Sequence, residues 1–345
     1  MTYAILINPG HNRVYFETSF SLSAPEFNIA AQKMSAACTG ARHQKLFGAD
    51  YLTFNADGRL TDADVEIIAG LSFTYALFMV EALDGGGPCF TPIDITRDHF
   101  VDNSISSILK YTGKTNEVFT RMLINIAYYS QNNTEGIKLL DPVAGKGTTL
   151  YEGLIKGFDS YGVEIGDKAV REAYHYLKKY FESARYKFEQ GVLRVSGPGR
   201  SFTAQKYTFK AAHTKDDFKA GRVKDAELIA GNSMYANKFY KKDYFDIIVG
   251  DLPYGVQHGN VTNEKQSSLT RNPAELLGAC LPAWLDVLKP GGAIVLAWNS
   301  NVLPRKKMEQ IFAARGLSIL DGDDYLRLGH RVDQSIYRDV IAAHK

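Results

Sequence analysis

The sequence predicts an α/β protein, in which a mixed sheet covered by helices follows a small α/β unit. Three observations predict this. From Gly136 onward, strand-like apolar runs alternate with helix-like ones, the mark of a largely parallel sheet with covering helices. The run Asp84-Gly-Gly-Gly-Pro88 is the clearest break in the chain and precedes that alternation. The 345 residues, 45% hydrophobic and 23% charged, have ordinary globular usage and are long enough for two domains. The expected division is a small N-terminal accessory domain over 1–88 and a larger domain over 89–345, which opens with a helical connector at 89–135.

Each element has its own justification. Residues 3–7 and 13–18 read as strands, and Asp62 or Asp64 as a helix cap. The apolar run 71–80 fits either a strand or a helix. A helix is predicted over 116–130, with Phe119, Leu123, Ile126 and Ala127 on one face. In the larger domain, strands are predicted at 137–140, 160–163, 227–230, 245–249, 293–297, 317–320 and 336–341. Helices are predicted at 148–156, 168–188, 273–288 and 305–315. Lys289-Pro-Gly-Gly292 stops a helix and turns into the next strand. The stretch 191–224 is polar and rich in Gly, Lys and Thr, and reads as an insertion or long loop.

Several function classes are excluded at this level. The longest apolar runs, such as that around Ile247, fall far short of the roughly 18–20 residues of a membrane span. The N-terminus lacks a basic region followed by an apolar core, so no signal peptide is expected. Cys38, Cys89 and Cys280 are too few and too scattered for a disulfide framework or a Cys-x-x-Cys site. The eight histidines show no metal-ligand spacing, so no metal is expected. These readings predict a soluble cytoplasmic protein.

Charge is uneven along the chain. Residues 1–100 carry 6 Lys+Arg and 11 Asp+Glu, a balance of −5. Residues 171–245 carry 16 Lys+Arg and 8 Asp+Glu, a balance of +8. In that second stretch cations alternate with aromatics: Tyr176, Lys178, Lys179, Tyr180, then Lys206, Tyr207, Phe209, Lys210. Such a surface suits a polyanion with exposed bases. The plainer alternative is a solvated helix face followed by a loop.

Leu139-Leu-Asp-Pro-Val-Ala-Gly-Lys-Gly-Thr148 is a strand running into a glycine-containing loop and then a helix. Gly145 and Gly147 permit a tight turn and close approach of a ligand to the backbone. Leu150 excludes the dinucleotide Gly-x-Gly-x-x-Gly pattern. Gly113-Lys-Thr115 is not a phosphate-binding loop, because Ile108 stands where that motif needs glycine. Glu164 closes the second strand of the alternation, where a carboxylate can accept from a ribose diol. Asn232 follows the third, where an amide can meet an adenine edge. Singly, Glu164 reads equally well as a helix cap and Asn232 as a turn residue. In this order, at successive strand ends, they fit a nucleoside-containing cofactor.

The fourth strand of the series runs into Phe245-Asp-Ile-Ile-Val-Gly-Asp-Leu-Pro-Tyr-Gly255. Asp251-Leu-Pro-Tyr254 resembles the (Asp/Asn)-Pro-Pro-(Tyr/Phe) motif of S-adenosylmethionine-dependent amino-methyltransferases. Asp141-Pro142 with Gly145, Gly147 and Thr148 resembles their cofactor loop. The arrangement is most similar to the THUMP-associated tRNA guanine-N2 methyltransferases, over roughly residues 100–345. This resemblance implies a Rossmann-like class I methyltransferase fold, a seven-stranded mixed sheet whose last strand is antiparallel. It implies S-adenosylmethionine as cofactor, held by Asp141, Pro142, Gly145, Gly147, Thr148, Glu164 and Asn232. It also implies RNA, in particular tRNA, as partner.

The catalytic roles follow the motif. An exocyclic amine is a poor nucleophile because its lone pair is delocalised into the ring. Acceptors aimed at its hydrogens favour tetrahedral nitrogen and stabilise the developing positive charge. Asp251 would supply one through its side chain and Leu252 another through its carbonyl. Pro253 would set the turn. Tyr254 would stack on a flipped-out base, a task for the ring and not the hydroxyl. Leu252 departs from the family's usual proline, which leaves the turn less rigidly set, and residues 1–83 show no convincing THUMP pattern. Lys110-Tyr-Thr-Gly-Lys-Thr-Asn116 resembles a segment that roofs the cofactor in related enzymes, and His258 reads as a loop or substrate contact. Two other readings are a DNA adenine or cytosine amino-methyltransferase and a catalytically silent nucleic-acid-binding protein.

Overall fold

The computed structural model describes residues 1–9, 13–82, 87–108, 115–254 and 272–345. Gly255, His258, Lys110 and most of the Asp84–Gly87 break therefore lie outside the described residues or at their edge. The described chain divides into two compact units, Met1–Asp98 with Asp321–Val340, and His99–Leu320 with Ile341–Lys345.

The first unit is built on a five-stranded antiparallel sheet. Its strands are β1 (Thr2–Ile7), β2 (Cys38–Leu46), β3 (Ala49–Ala56), β4 (Thr74–Ala82) and β5 (Pro88–Ile93), in the order β2-β3-β1-β4-β5. Pro88 therefore opens a strand paired with β4. The helices are α1 (Arg13–Ala31) and α2 (Asp62–Ala69). The expected strand at 13–18 is instead the start of α1. Its continuation buries Leu22, Phe27, Ile29 and Ala30, and this packing overrides the short apolar run. The cap of α2 is Thr61 and not an aspartate. Thr61 and Asp64 form a capping box, with the Thr61 N–H donating to Asp64 Oδ2 at 2.9 Å. The ambiguous run 71–80 is strand β4.

The second unit opens with α3 (Ser104–Ile108) and α4 (Glu117–Ser130), the latter capped by Asn116. Then follow β6 (Lys138–Asp141), α5 (Thr148–Ile155), β7 (Asp159–Glu164), α6 (Asp167–Ser183), β8 (Lys187–Ser196), β9 (Thr203–Ala212), α7 (Lys215–Lys219) and β10 (Lys224–Ala230). After these come α8 (Ala236–Phe239), β11 (Phe245–Asp251), α9 (Pro273–Val287), β12 (Leu288–Asn299), α10 (Arg305–Ala313) and β13 (Ser318–Ile319). The last elements of the chain are α11 (Asp323–Leu326), β14 (His330–Arg331) and β15 (Tyr337–His344). No helix among the described residues is long and apolar enough to cross a membrane.

The large sheet has the order β13-β15-β12-β11-β6-β7-β10-β9-β8, with β14 paired to β15. Strands β12, β11, β6, β7 and β10 run parallel to one another. Strand β15 is antiparallel to β13. The fold is thus a Rossmann-like mixed sheet, preceded in the chain by a small α/β unit. Ten strands replace the expected seven, mainly because 191–224 is not a loop. Most of that stretch belongs to an antiparallel hairpin, β8–β9, which adds two strands beyond β10. Tyr207, Phe209 and Ala211 of β9 are buried with Phe181 of α6.

Candidate functional site

Strand order reverses between β6 and β11, which are neighbours in the sheet but not in sequence. In such open sheets ligands bind outside the carboxyl ends of the strands at that reversal. Asp141 ends β6, Glu164 ends β7 and Asp251 ends β11, and Asn232 lies two residues beyond β10. The structure therefore brings these four predicted residues to one edge of the sheet.

The loop after β6 is fixed by its neighbours. The Val143 N–H donates to Asp141 Oδ1 at 2.9 Å, and the Ala144 N–H to the Val163 carbonyl of β7 at 3.0 Å. Gly147 caps α5 at φ +88°, a left-handed conformation that disfavours a side chain. Gly162 of β7 is equally constrained, because a Cβ there would meet Ala144 and Leu150 at 2.7 Å. Pro142 and Thr148 are buried within this turn. Glu164 binds the loop directly. One carboxylate oxygen accepts from the Gly145 N–H at 2.9 Å and the other from the Gly166 N–H at 2.7 Å.

The edge is electrostatically loaded. Burial pushes the Asp141 carboxyl up to about 7, and the nearby Glu164 and Asp251 carboxylates add to the rise. Hydrogen bonds from the Thr149 hydroxyl and the Val143 N–H oppose it.

Asn232 uses its side-chain oxygen to accept from the Met234 N–H at 3.0 Å and so caps a short helical turn. It also lines a groove of about 760 Å³ together with Ile165, Met234, Phe202 and Gln205. Ile165 and Met234 are 44% and 37% exposed, which leaves two apolar walls open to a flat ring. Phe202 and Gln205 come from the hairpin connection and β9. The sequence reading missed all four.

The Asp251–Tyr254 turn differs from expectation in one respect. The Tyr254 hydroxyl is not idle. It donates to both Asp251 oxygens, at 2.7 Å each. The Thr115 hydroxyl donates to Asp251 Oδ2 at 2.8 Å. Thr115 belongs to the 110–116 segment, of which 115 and 116 are described. Leu252 is buried, and its N–H donates to the Ala297 carbonyl at 2.8 Å, which continues the β11–β12 pairing into the turn. Pro253 and Tyr254 are partly exposed.

The basic–aromatic stretch separates into two sets of side chains. Several of its aromatics face inward: the Tyr176 hydroxyl donates to the Ile105 carbonyl at 2.7 Å, and Tyr174, Tyr207 and Phe209 pack as a ring cluster. They form core and not an exposed stacking platform. Lys206 is also committed, through an ion pair with Glu227 Oε2 at 2.7 Å. No group of three or more potential metal-ligating side chains occurs among the described residues.

No protein-family model and no curated protein sequence matches the chain. Among solved structures it is similar to the rRNA methyltransferase AviRa from Streptomyces viridochromogenes, with 13% identity, 71% of this chain and 93% of that one covered, and a TM-score of 0.39. It is similar to a TehB-like SAM-dependent methyltransferase from Corynebacterium glutamicum, with 14% identity, 62% and 82% covered, and a TM-score of 0.35. A third is the Burkholderia thailandensis 1,6-didemethyltoxoflavin-N1-methyltransferase with bound S-adenosylhomocysteine, with 12% identity, 60% and 70% covered, and a TM-score of 0.35.

Proposed function

We propose that the chain is an S-adenosylmethionine-dependent methyltransferase that methylates an exocyclic amine of a nucleobase, a guanine in tRNA. One observation carries this reading: the predicted cofactor residues and the Asp251–Tyr254 turn converge on the sheet edge where strand order reverses. The donor set also suits this cofactor. Burial and the neighbouring Glu164 and Asp251 carboxylates disfavour the ionised form of Asp141, and a sulfonium cation offsets that. The groove beside Asn232 offers apolar walls and amides for a purine.

The bound cofactor supplies an electrophilic methyl group. In this reading Glu164, already holding the Gly145 and Gly166 N–H groups, keeps acceptor capacity for a ribose diol. Asp251 and the Leu252 carbonyl accept from the amine hydrogens and favour the nitrogen geometry needed for attack. Tyr254 stacks on the base. No side chain has to remove a proton before transfer, because the attacking amine is neutral. The RNA part of the reading rests on the cations of 171–245, and residues 1–88 serve as an accessory unit.

The test is methyl transfer to RNA from cells lacking the gene, with mass spectrometry of the modified nucleosides. Asp251→Ala should lower turnover about 100-fold or more, the scale of losing one preorganised transition-state partner. It should leave cofactor affinity nearly intact. Asp251→Asn should be milder, since an amide oxygen still accepts. Full activity in Asp251→Ala would remove the turn from catalysis, and N2-methylguanosine absent from the products would remove guanine as the target.

A further inference from the structure

We propose that Thr115 is a positioning residue for Asp251, a hydroxyl brought from the entry of α4 to fix the orientation of the carboxylate at the end of β11. The proposal rests on the methyl-transfer reading and goes further into the same site.

Three observations support it. First, Thr115 Oγ1 lies 2.8 Å from Asp251 Oδ2 across 136 residues of sequence. A hydroxyl donating to a carboxylate forms a charge-assisted bond, stronger than one between neutral groups. Second, Thr115 directly precedes a capped and buried helix. The next residue, Asn116, caps α4 by accepting from the Val118 and Phe119 N–H groups at 2.8 and 3.3 Å. Helix α4 in turn buries Phe119, Met122, Leu123 and Ile126. Third, the backbone of the catalytic turn is anchored by the Leu252 N–H on Ala297, but that bond does not set the side-chain torsions of Asp251.

The two hydroxyl donors on Asp251 have different reach. Tyr254 is three residues away and moves with the turn. Thr115 stands at the entry of another element, α4, and refers the carboxylate to the packed body of the unit. A group held in this way meets the amine without first paying the entropy of finding its orientation.

The decisive variants are Thr115→Val, which keeps the shape and loses the hydroxyl, and Thr115→Ser, which keeps the hydroxyl. With wild-type protein, S-adenosylmethionine and RNA from cells lacking the gene, Thr115→Val should lower kcat by about 10–100-fold, the loss of one hydrogen bond to a charged group. KM should change little, and Thr115→Ser should restore most of kcat. S-adenosylhomocysteine affinity by calorimetry should be the same in all three proteins. Wild-type kcat in Thr115→Val, or equal loss in the Val and Ser variants, would overturn the proposal. So would a loss of S-adenosylhomocysteine affinity confined to Thr115→Val. If wild-type protein itself transfers no methyl group, the methyl-transfer reading fails, and the pair is then tested by thermal unfolding. Thr115→Val and Asp251→Ala should be non-additive in melting temperature, and strict additivity would overturn the pairing.

Discussion

At the scale of single residues, Asp141 makes the sharpest demand. Its carboxyl titrates near 7 in the folded chain, chiefly because it is buried, whereas an unfolded aspartate titrates near 4. Between those values the folded state holds a proton that the unfolded state releases. Folding stability from this group is therefore full below about pH 4 and falls as pH rises toward about 7. Binding of a cationic ligand has the opposite sign, because it favours the ionised form. S-adenosylmethionine affinity should rise between about pH 5 and pH 7, and S-adenosylhomocysteine, which lacks the sulfonium charge, should follow that rise weakly. Calorimetry across this range checks both, and Asp141→Asn should flatten the difference. Equal pH profiles for the two ligands would mean that Asp141 does not sense the sulfonium. Glu164 tests a second contact. Because it also ties Gly145 to Gly166, Glu164→Ala should weaken the cofactor by roughly 1–3 kcal/mol and loosen the loop after β6. Unchanged affinity in a folded variant would remove it from the site.

Among the elements, what was legible in the sequence follows from burial. Strands β6, β7, β11 and β12 are buried on both faces, so they read as apolar runs, and the acids that end β6, β7 and β11 stand out against those runs. The hairpin was harder to see because β8 is an edge strand with most side chains exposed. The signal existed in β9, where Tyr207, Phe209 and Ala211 are buried between the less buried Lys206, Thr208 and Lys210, a period of two. Helix α1 misled because Leu22, Ser23, Glu26, Phe27, Ile29 and Ala30 are all buried, leaving no narrow apolar stripe to recognise. Thr115 was illegible as part of the site, since nothing local shows a contact made 136 residues away. The packing of α6 on the hairpin gives a direct test. Phe181 is fully buried, with ring centroids 5.6 Å from Phe188 and 5.7 Å from Phe209. Phe181→Ala should cost about 3–5 kcal/mol. Amides of β8 and β9 should lose hydrogen-exchange protection ahead of those in β6 and β11. Uniform loss across the sheet would mean that the hairpin and the central strands unfold as one unit.

For the whole molecule, the question is which of its charges an RNA would meet. The net charge is only +2, so long-range attraction has to come from local excess, and residues 171–245 hold it. Composition alone singles out Lys206 and Lys210 together, but the structure separates them. Lys206 faces Glu227, which is 8% exposed, and neutralises a buried carboxylate. Arg194 on β8, Arg200 in the connecting turn and Lys210 on β9 are exposed and make no ion pair among the described residues. All three sit on the hairpin, so it is the element expected to approach phosphate. Removing one cation that meets a phosphate should lower the slope of log affinity against log salt by about 0.7–0.9. Replacing Arg194, Arg200 and Lys210 by Ala should therefore flatten the slope by roughly two to three units. Lys206→Ala should behave differently. It strands a buried carboxylate, so it should lower the melting temperature and leave the salt slope nearly as it was. Binding titrations at several salt concentrations separate these outcomes. If the triple variant keeps the wild-type slope while Lys206→Ala changes it, the RNA path does not run along the exposed cations of the hairpin, and the substrate must approach the Asp251 turn from another side.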